Sequence, residues 1–473
     1  MLNRLPLARQ AELVRRGEVS PLELLEAHLS QIERINPVLN AFVFQFGNEA
    51  RSAAKRLFDE TKPNSGSAGP LFGVPVTVKD SFDVEGCPTY CGSRLRLKHR
   101  AARDSAAVRR LRAAGALLLG KTNVPESLFN YETDNGITGR TNNPWNVDCT
   151  PGGSSGGEAA AIAAFCSAGG VGSDGGGSIR VPAHFCGIAG LKPTPGRVSA
   201  AGHYPLIAHP GGLLGVAGPM ARTVEDVELL FEVLAGPDWD DPFSAPVPWR
   251  EARLEGLRVG LMERWLDVPV QAAARAAVLS AARVLEGELK IPVEPFEPRG
   301  MNAVQALWFF FFVETAAPFL RKMFEGREEE VHWMGRELVE MADEENMDGV
   351  TVLEELAKRD AMRTNFLRQM DGRAVLLTPV CGTQAFGHRQ RRFETEERPI
   401  SLLEAMAPVV PFNLFGMPAL VIPWQVSGSL PVGIQLVARP WEEQLLLALG
   451  KKLEEARGPF PGASAGGLDI AKS

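Results

Sequence analysis

The sequence predicts an α/β fold in which helices cover both faces of one sheet. Short apolar runs, of the kind that form buried strands, alternate along the chain with segments that begin at helix-capping residues. The chain is also long enough to bury a large core, since it has 473 residues, of which 45% are hydrophobic.

The first half of the chain supplies the clearest element boundaries. Ser20, Pro21 and Glu23 form a capping box with proline at the first helical position, which predicts a helix to about residue 35. The apolar run 74–78 predicts a buried strand that Lys79 ends. Asp104 is the predicted cap of a helix over 105–114, and residues 116–119 form the next predicted strand.

The second half continues the alternation. Thr223 is the predicted cap of a helix to about residue 234, and Gly236 follows its end. Further buried strands are predicted at residues 258–262, 374–377, 419–422 and 433–437. We expect one domain over 1–473, with a core at 71–197 and a more charged, helical subdomain near the pocket at 238–370.

Charge and cysteine content exclude several function classes. A net charge of −7 argues against nucleic acid as a main partner. The six cysteines form no ligand-spaced cluster, which favours reduced thiols in a cytoplasmic protein without metal or cofactor. The most apolar stretch, 306–313, is too short to span a bilayer, so we expect a buried helix or a pocket wall, no membrane anchor, and a monomer or homodimer.

Two glycine-flanked serines and one lysine form the candidate catalytic group. Ser154 lies in Gly-Gly-Ser-Ser-Gly-Gly, Ser178 ends Gly-Gly-Gly-Ser, and Lys79 ends a predicted strand. A serine hydroxyl needs a base before it can attack, and a buried lysine can serve because burial favours its neutral form. These residue types supply a nucleophile, a proton relay and a base without histidine.

The glycines before Ser178 predict an oxyanion hole. The consecutive backbone N–H groups of Gly175, Gly176, Gly177 and Ser178 can face the oxyanion of a tetrahedral intermediate. A flexible linker is disfavoured because the serine-rich segment leads into the helix-forming stretch 159–165. A phosphate loop is disfavoured because the Lys-Ser or Lys-Thr ending is missing.

These motifs resemble those of the amidase signature hydrolases, particularly the fatty acid amide hydrolase branch. The resemblance covers residues 71–80 and 120–197, and it extends to the stretches 412–419 and 430–436. It implies the amidase signature fold, a mixed central sheet between helical layers. It also implies a hydrolase that acts on C–N bonds through an acyl-enzyme, with a small amide or carbamate as substrate.

The resemblance also assigns roles to individual residues. Ser178 matches the nucleophile, Ser154 the bridging serine that follows a cis peptide, and Lys79 the terminal base. Ser155 matches a helper or helix cap. Gly175 departs from the family, since threonine or isoleucine often stands there, and this extra glycine would loosen the oxyanion loop.

A second set of residues is predicted to bind substrate. Leu128, Phe129 and Tyr131 match pocket-lining positions of the resembled branch, although Tyr131 is equally typical of a core tyrosine with a satisfied hydroxyl. Gly153, beside the bridging serine, belongs to the same set. Tyr204 and Leu206 join it because segment 197–215, rich in glycine and proline, predicts either a lid over Ser178 or a plain surface connection.

The sequence leaves the substrate and two alternative functions open. Amides, anilides, esters and carbamates all react through the same tetrahedral geometry at the carbonyl carbon. The motifs therefore fit an amidase with urethanase or esterase activity as well as they fit an amidase that acts on amides alone. An amidotransferase subunit of a multi-chain complex would need a partner for ammonia and a nucleic-acid-bound substrate. A non-catalytic scaffold would not need all three of Lys79, Ser154 and Ser178.

Overall fold

The computed structural model describes residues 1–60, 68–206, 214–342 and 347–463. Within these ranges the largest assembly of strands is a sheet of 11, in the order β1-β3-β2-β4-β6-β5-β12-β13-β9-β7-β8. Its strands are β1 (Phe42–Gln45), β2 (Pro75–Lys79), β3 (Leu117–Thr122), β4 (Gly169–Asp174), β5 (Ala189–Lys192), β6 (Val216–Ala221), β7 (Val259–Leu261), β8 (Val293–Pro295), β9 (Val375–Pro379), β12 (Ala419–Ser427) and β13 (Leu430–Ala438). A separate pair joins β10 (Arg392–Phe393) and β11 (Ile400–Ser401).

Helices flank this sheet. They are α1 (Leu7–Arg15), α2 (Pro21–Leu39), α3 (Gly47–Glu60), α4 (Ala106–Ala113), α5 (Gly156–Ala163), α6 (Arg180–Cys186), α7 (Val224–Leu234), α8 (Ala272–Gly287), α9 (Val304–Phe309), α10 (Ala317–Phe324), α11 (Trp333–Glu340), α12 (Gly349–Gln369), α13 (Leu402–Ala405), α14 (Pro411–Leu414) and α15 (Glu443–Arg457). The predicted α/β/α fold with a mixed central sheet is therefore confirmed.

The sheet is mixed because its strands pair in both directions. β2 pairs in parallel with β3 and β4, whereas β12 and β13 pair with each other and with their neighbours in antiparallel fashion. Alternate side chains along β3 enter different cores. Leu118 belongs to the apolar cluster that includes residues of α4 and α7, whereas Leu117 and Leu119 belong to the cluster that includes residues of α2 and α5. This two-residue period is what a strand buried on both faces requires.

The predicted helix starts hold, with one correction. Ser20 and Glu23 form the capping box, and Thr223 accepts the Asp226 N–H at the start of α7. Asp104 does not cap α4. Ser105 does, since its Oγ accepts the Val108 N–H, and the Asp104 carboxylate instead accepts the N–H of Glu85. Asp104 and Ser105 are both residue types that cap helices. Because Asp104 accepts the N–H of Glu85, Ser105 is the one that caps α4.

The segment 238–370 contributes to more than one layer. It supplies β7 and β8, which extend the central sheet beyond β9, and it also supplies α8 to α12. Of these, α9 and α11 lie beside the candidate site. A separate helical subdomain over 238–370 stays a prediction.

Candidate active site

Lys79 occupies the carboxyl end of β2, an interior strand of the sheet. Because β2 and β4 are parallel, their carboxyl ends meet at one edge, and Ser173 near the end of β4 lies beside the lysine. The Lys79 Nζ donates to Ser154 Oγ at 2.7 Å and to Ser173 Oγ at 3.0 Å. The Lys79 side chain is fully buried.

The electrostatics of this position suit a base. Burial lowers the pKa of Lys79 from 10.5 to about 7, although the nearby Cys91, Asp174 and Glu158 oppose the change. An ordinary lysine is almost wholly protonated at neutral pH, whereas a lysine with this pKa is neutral about half of the time. The buried end of β2 therefore provides an amine that can accept a proton from Ser154.

Ser154 stands at the start of α5, and the peptide Gly153–Ser154 is cis, as the resemblance implies. A Cβ atom on Gly153 would lie 2.5 Å from the carbonyl oxygen of Asn130, so only glycine fits there. The Ser155 N–H donates to the Ser178 carbonyl at 3.1 Å, which joins the two serine loops. Ser155 Oγ contacts the Ser173 backbone and does not cap α5.

The oxyanion loop departs from the sequence prediction at one residue. The Gly177 N–H already donates to Asp174 Oδ1 at 2.7 Å, so it is not a free oxyanion donor. The N–H groups of Gly175, Gly176 and Ser178 have no acceptor among the described residues. The predicted row of four donors is therefore reduced to three.

Sequence reasoning missed the ion pair that anchors this loop. Asp174 Oδ1 lies 3.0 Å from Arg180 Nη2, and both side chains are fully buried. Burial alone would raise the pKa of Asp174, but the Arg180 guanidinium holds it well below its ordinary value. Asn413 donates to Asp174 Oδ1 at 2.9 Å and also bonds the guanidinium. The signals were present, since Arg180 lies three residues after Gly177 and Asn413 lies in a matching motif, but only the fold brings them together.

A cavity of about 340 Å³ opens beside Ser178. The described residues that line it are mostly apolar: Leu128, Phe129, Asn130, Tyr131, Gly176, Ser178, Trp308, Phe309, Phe312, Val313, Met334, Glu337, Leu338, Met341, Arg391, Ser401, Leu402 and Leu403. The aromatic stretch at the end of α9 thus forms a pocket wall, one of the two predicted outcomes. Helix α11, Arg391 just before β10, and residues 401–403 at the junction of β11 and α13 contribute lining residues that the sequence did not point to.

The cavity has one charged end. Arg391 Nη1 lies 2.5 Å from Glu132 Oε1, and Arg391 Nη2 lies 3.8 Å from Glu337 Oε2. Glu132 is buried, so the closer of these pairs is shielded from solvent. The positive charge of Arg391 is therefore balanced within the protein.

Three residues predicted to bind substrate are not among the described residues that line this cavity. Gly153 packs on the backbone of Asn130, a lining residue, and of Glu132. The Tyr204 ring lies under the Arg96 guanidinium, 3.4 Å from it, and the Leu206 side chain is 64% exposed. These residues were predicted from their place in the sequence near Ser154 or after Ser178, and their contact with substrate stays a prediction.

The described part of segment 197–215 is anchored to the loop after β2. The Tyr204 N–H donates to the Ser81 carbonyl, and the Asp83 N–H donates to the Gly202 carbonyl. Ile207 and its neighbours, 207–213, lie outside the described residues. A lid formed by the whole segment stays a prediction.

Metal-binding clusters and membrane helices are both missing from the described ranges. These ranges contain no group of three or more histidine, cysteine, aspartate or glutamate side chains that could hold a metal ion. No helix within them is both long and apolar enough to cross a bilayer.

Fold and site together define a class: an α/β protein that places a buried lysine, two serines and a row of free backbone donors beside an apolar cavity. Comparison with known proteins gives the family. The sequence profile of the Amidase family matches residues 23–447, and this chain belongs to that family, the amidase signature proteins.

The similar proteins cover nearly the whole chain. The A subunit of glutamyl-tRNA(Gln) amidotransferase from Roseiflexus castenholzii is 34% identical over 482 residues, 95% of each chain. Indoleacetamide hydrolase of Bradyrhizobium diazoefficiens is 33% identical over 457 residues, 95% of this chain and 86% of the relative. The structure of 6-aminohexanoate cyclic dimer hydrolase complexed with substrate superposes with a TM-score of 0.86, 31% identity and 99% coverage of both chains.

The predicted family is therefore confirmed. A fatty acid amide hydrolase structure also superposes, with a TM-score of 0.86 over 97% of this chain and 86% of its own. At 23% identity this likeness shows the shared fold.

Proposed function

We propose that this chain hydrolyses C–N bonds of small amides through Ser178, Ser154 and Lys79. The observation that carries the proposal is the 2.7 Å contact between the fully buried Lys79 Nζ and Ser154 Oγ. It supports a proton path that ends on an amine with a pKa of about 7. In this proposal the substrate is a small molecule, the protein binds no nucleic acid, and it is a monomer or a homodimer.

The proposed reaction has two halves. Ser178 Oγ attacks the amide carbon, its proton passes to Ser154, and the Ser154 proton passes to Lys79. The carbonyl oxygen becomes an oxyanion that the free backbone N–H groups stabilise. Lys79 returns its proton through Ser154 to the leaving nitrogen, the C–N bond breaks, and an acyl-enzyme remains. Water then attacks the acyl-enzyme by the same proton route and releases the acid.

The cavity favours an apolar acyl group, aromatic or aliphatic. Trp308 and Phe312 stack with ring centroids 4.9 Å apart, and Phe129 packs edge-on against Phe312 at 5.2 Å. Burying an apolar group against these rings stabilises the complex by roughly 25 cal/mol for each Å² removed from water. The name of the similar indoleacetamide hydrolase, an enzyme for an aromatic amide, agrees with this choice. Esters and carbamates with the same acyl group fit the mechanism, so esterase and urethanase activity belong to the proposal.

The second candidate is an amidotransferase subunit. It is favoured by the names of several relatives that are 32–35% identical. The cavity supports it less well, because the α-carboxylate and α-ammonium of glutamine need free charged partners. Arg391, the cation at the cavity, is already paired with Glu132.

One experiment separates the candidates. The purified chain is incubated with indole-3-acetamide, an anilide, an aryl carbamate and glutamine, and the released ammonia or amine is measured. We expect turnover of the aryl substrates by the isolated chain and none by the Ser178→Ala variant. Turnover of glutamine alone would favour the amidotransferase, and no turnover of any substrate together with an unreactive Ser178 would favour a scaffold.

A further inference from the structure

Two hydrogen bonds hold the oxyanion loop from the side of the cavity. Trp308 Nε1 donates to the Gly175 carbonyl at 2.9 Å, and the Tyr131 hydroxyl donates to the Gly176 carbonyl at 2.9 Å. Both donors are buried. Neither hydrogen bond is part of the proposed proton relay through Ser178, Ser154 and Lys79. Another role must therefore explain why both donors bind the same loop.

The geometry of a peptide unit supplies that explanation. A peptide bond is planar and trans, so its C=O and its N–H point in opposite directions. The bond from Trp308 to the Gly175 carbonyl therefore fixes the direction of the Gly176 N–H, a free oxyanion donor. The next peptide is held at both ends, because Tyr131 binds the Gly176 carbonyl and Asp174 binds the Gly177 N–H.

This loop needs external support because it contains three consecutive glycines. Glycine has no Cβ and passes easily between backbone conformations, so each peptide plane can rotate at little cost. The space that side chains would fill is taken by aromatic rings. A Cβ on Gly175 would lie 2.7 Å from Phe312, and one on Gly176 would lie 2.3 Å from Trp308.

We propose that Trp308 and Tyr131 are positioning residues that hold the oxyanion loop and orient its free donors, above all the Gly176 N–H. The inference rests on the proposed function, since it concerns the same nucleophile. The indole and the phenol replace the stiffness that a larger residue at position 175 would give. They act through the loop and not through contact with the reacting carbonyl.

The test removes each donor and keeps an aromatic side chain, in Trp308→Phe and Tyr131→Phe. Trp333→Phe is the matched control, because the Trp333 Nε1 is buried without a hydrogen-bond partner among the described residues. The probes are a short-chain and a long-chain alkyl fluorophosphonate. In each, Ser178 Oγ displaces fluoride from phosphorus while its proton leaves through Ser154, and the phosphoryl oxygen gains charge in the oxyanion hole. Mass spectrometry of the Ser178 peptide gives the rate.

We expect both donor variants to react about tenfold more slowly with both probes, whereas Trp333→Phe reacts like the wild type. Equal slowing is the signature of positioning, because a change in pocket shape would affect the long-chain probe more. Slowing with the long-chain probe alone, or wild-type rates in both variants, would overturn the inference and leave the proposed function standing. A wild-type chain whose Ser178 does not react would overturn the proposed function and the inference with it.

Discussion

The pH dependence of the reaction tests the base directly. With a pKa of about 7, Lys79 is neutral in about 10% of molecules at pH 6 and about 90% at pH 8. Because only the neutral amine accepts a proton, kcat/KM should rise about ninefold over this range and then level off. An unperturbed lysine would give a rise that continues beyond about pH 10.

Two other buried groups need to be separated from Lys79. Burial raises the pKa of Glu158 to about 7 and lowers that of Lys192 to about 7. The temperature dependence of the midpoint distinguishes Lys79 from Glu158. Ionisation of an ammonium group absorbs much more heat than ionisation of a carboxyl group, so only a lysine midpoint falls clearly on warming. Lys192 is distinguished by the variant Lys192→Met, which should keep the rise in rate.

The assay is initial-rate hydrolysis of a chromogenic anilide from about pH 5 to about pH 10, at two temperatures, with wild type and Lys192→Met. We expect a midpoint near pH 7 that falls on warming and is present in both proteins. A flat profile, a midpoint that does not respond to temperature, or loss of the rise in Lys192→Met would show that Lys79 is not the base.

The remaining predictions concern the nucleophile, the loop and its anchor. Ser178→Ala should abolish turnover and Ser154→Ala should lower kcat by several orders of magnitude, because a proton relay works as a unit; near-wild-type rates in a folded variant would remove that residue from the mechanism. Gly176→Ala should inactivate the enzyme, since its Cβ would lie 2.3 Å from Trp308, and a kcat within about twofold of wild type would contradict this. Arg180→Met should destabilise the fold by about 3–5 kcal/mol, seen as a lower melting temperature, because it leaves the Asp174 carboxylate buried without its cation; an unchanged melting temperature would argue against that role. Activity should survive exhaustive dialysis against a chelator, and loss that one divalent ion restores would contradict a metal-free mechanism.

Local sequence was enough to predict several elements of the fold, including the strand that carries Lys79. Ser20 with Glu23 and Thr223 mark helix starts because a capping side chain bonds a backbone group three residues away. Lys79 ends an apolar strand, and a strand of the central sheet is buried on both faces, so the lysine is buried as well. The glycine and serine motifs then predicted the family, which is confirmed, and the residues of the proposed relay, which stay a prediction.

The partners of those residues were decided by the tertiary structure. Trp308 reaches Gly175 across 133 positions of sequence, and Asn413 reaches Asp174 across 239. Closeness in sequence does not by itself place a residue in the cavity: Tyr204 and Leu206 follow Ser178 closely yet are not among the lining residues. Periodicity and capping are local properties that a sequence displays directly. The choice of which distant carbonyl or carboxylate a side chain meets depends on how the helices pack on the sheet, and that is set only when the whole core forms.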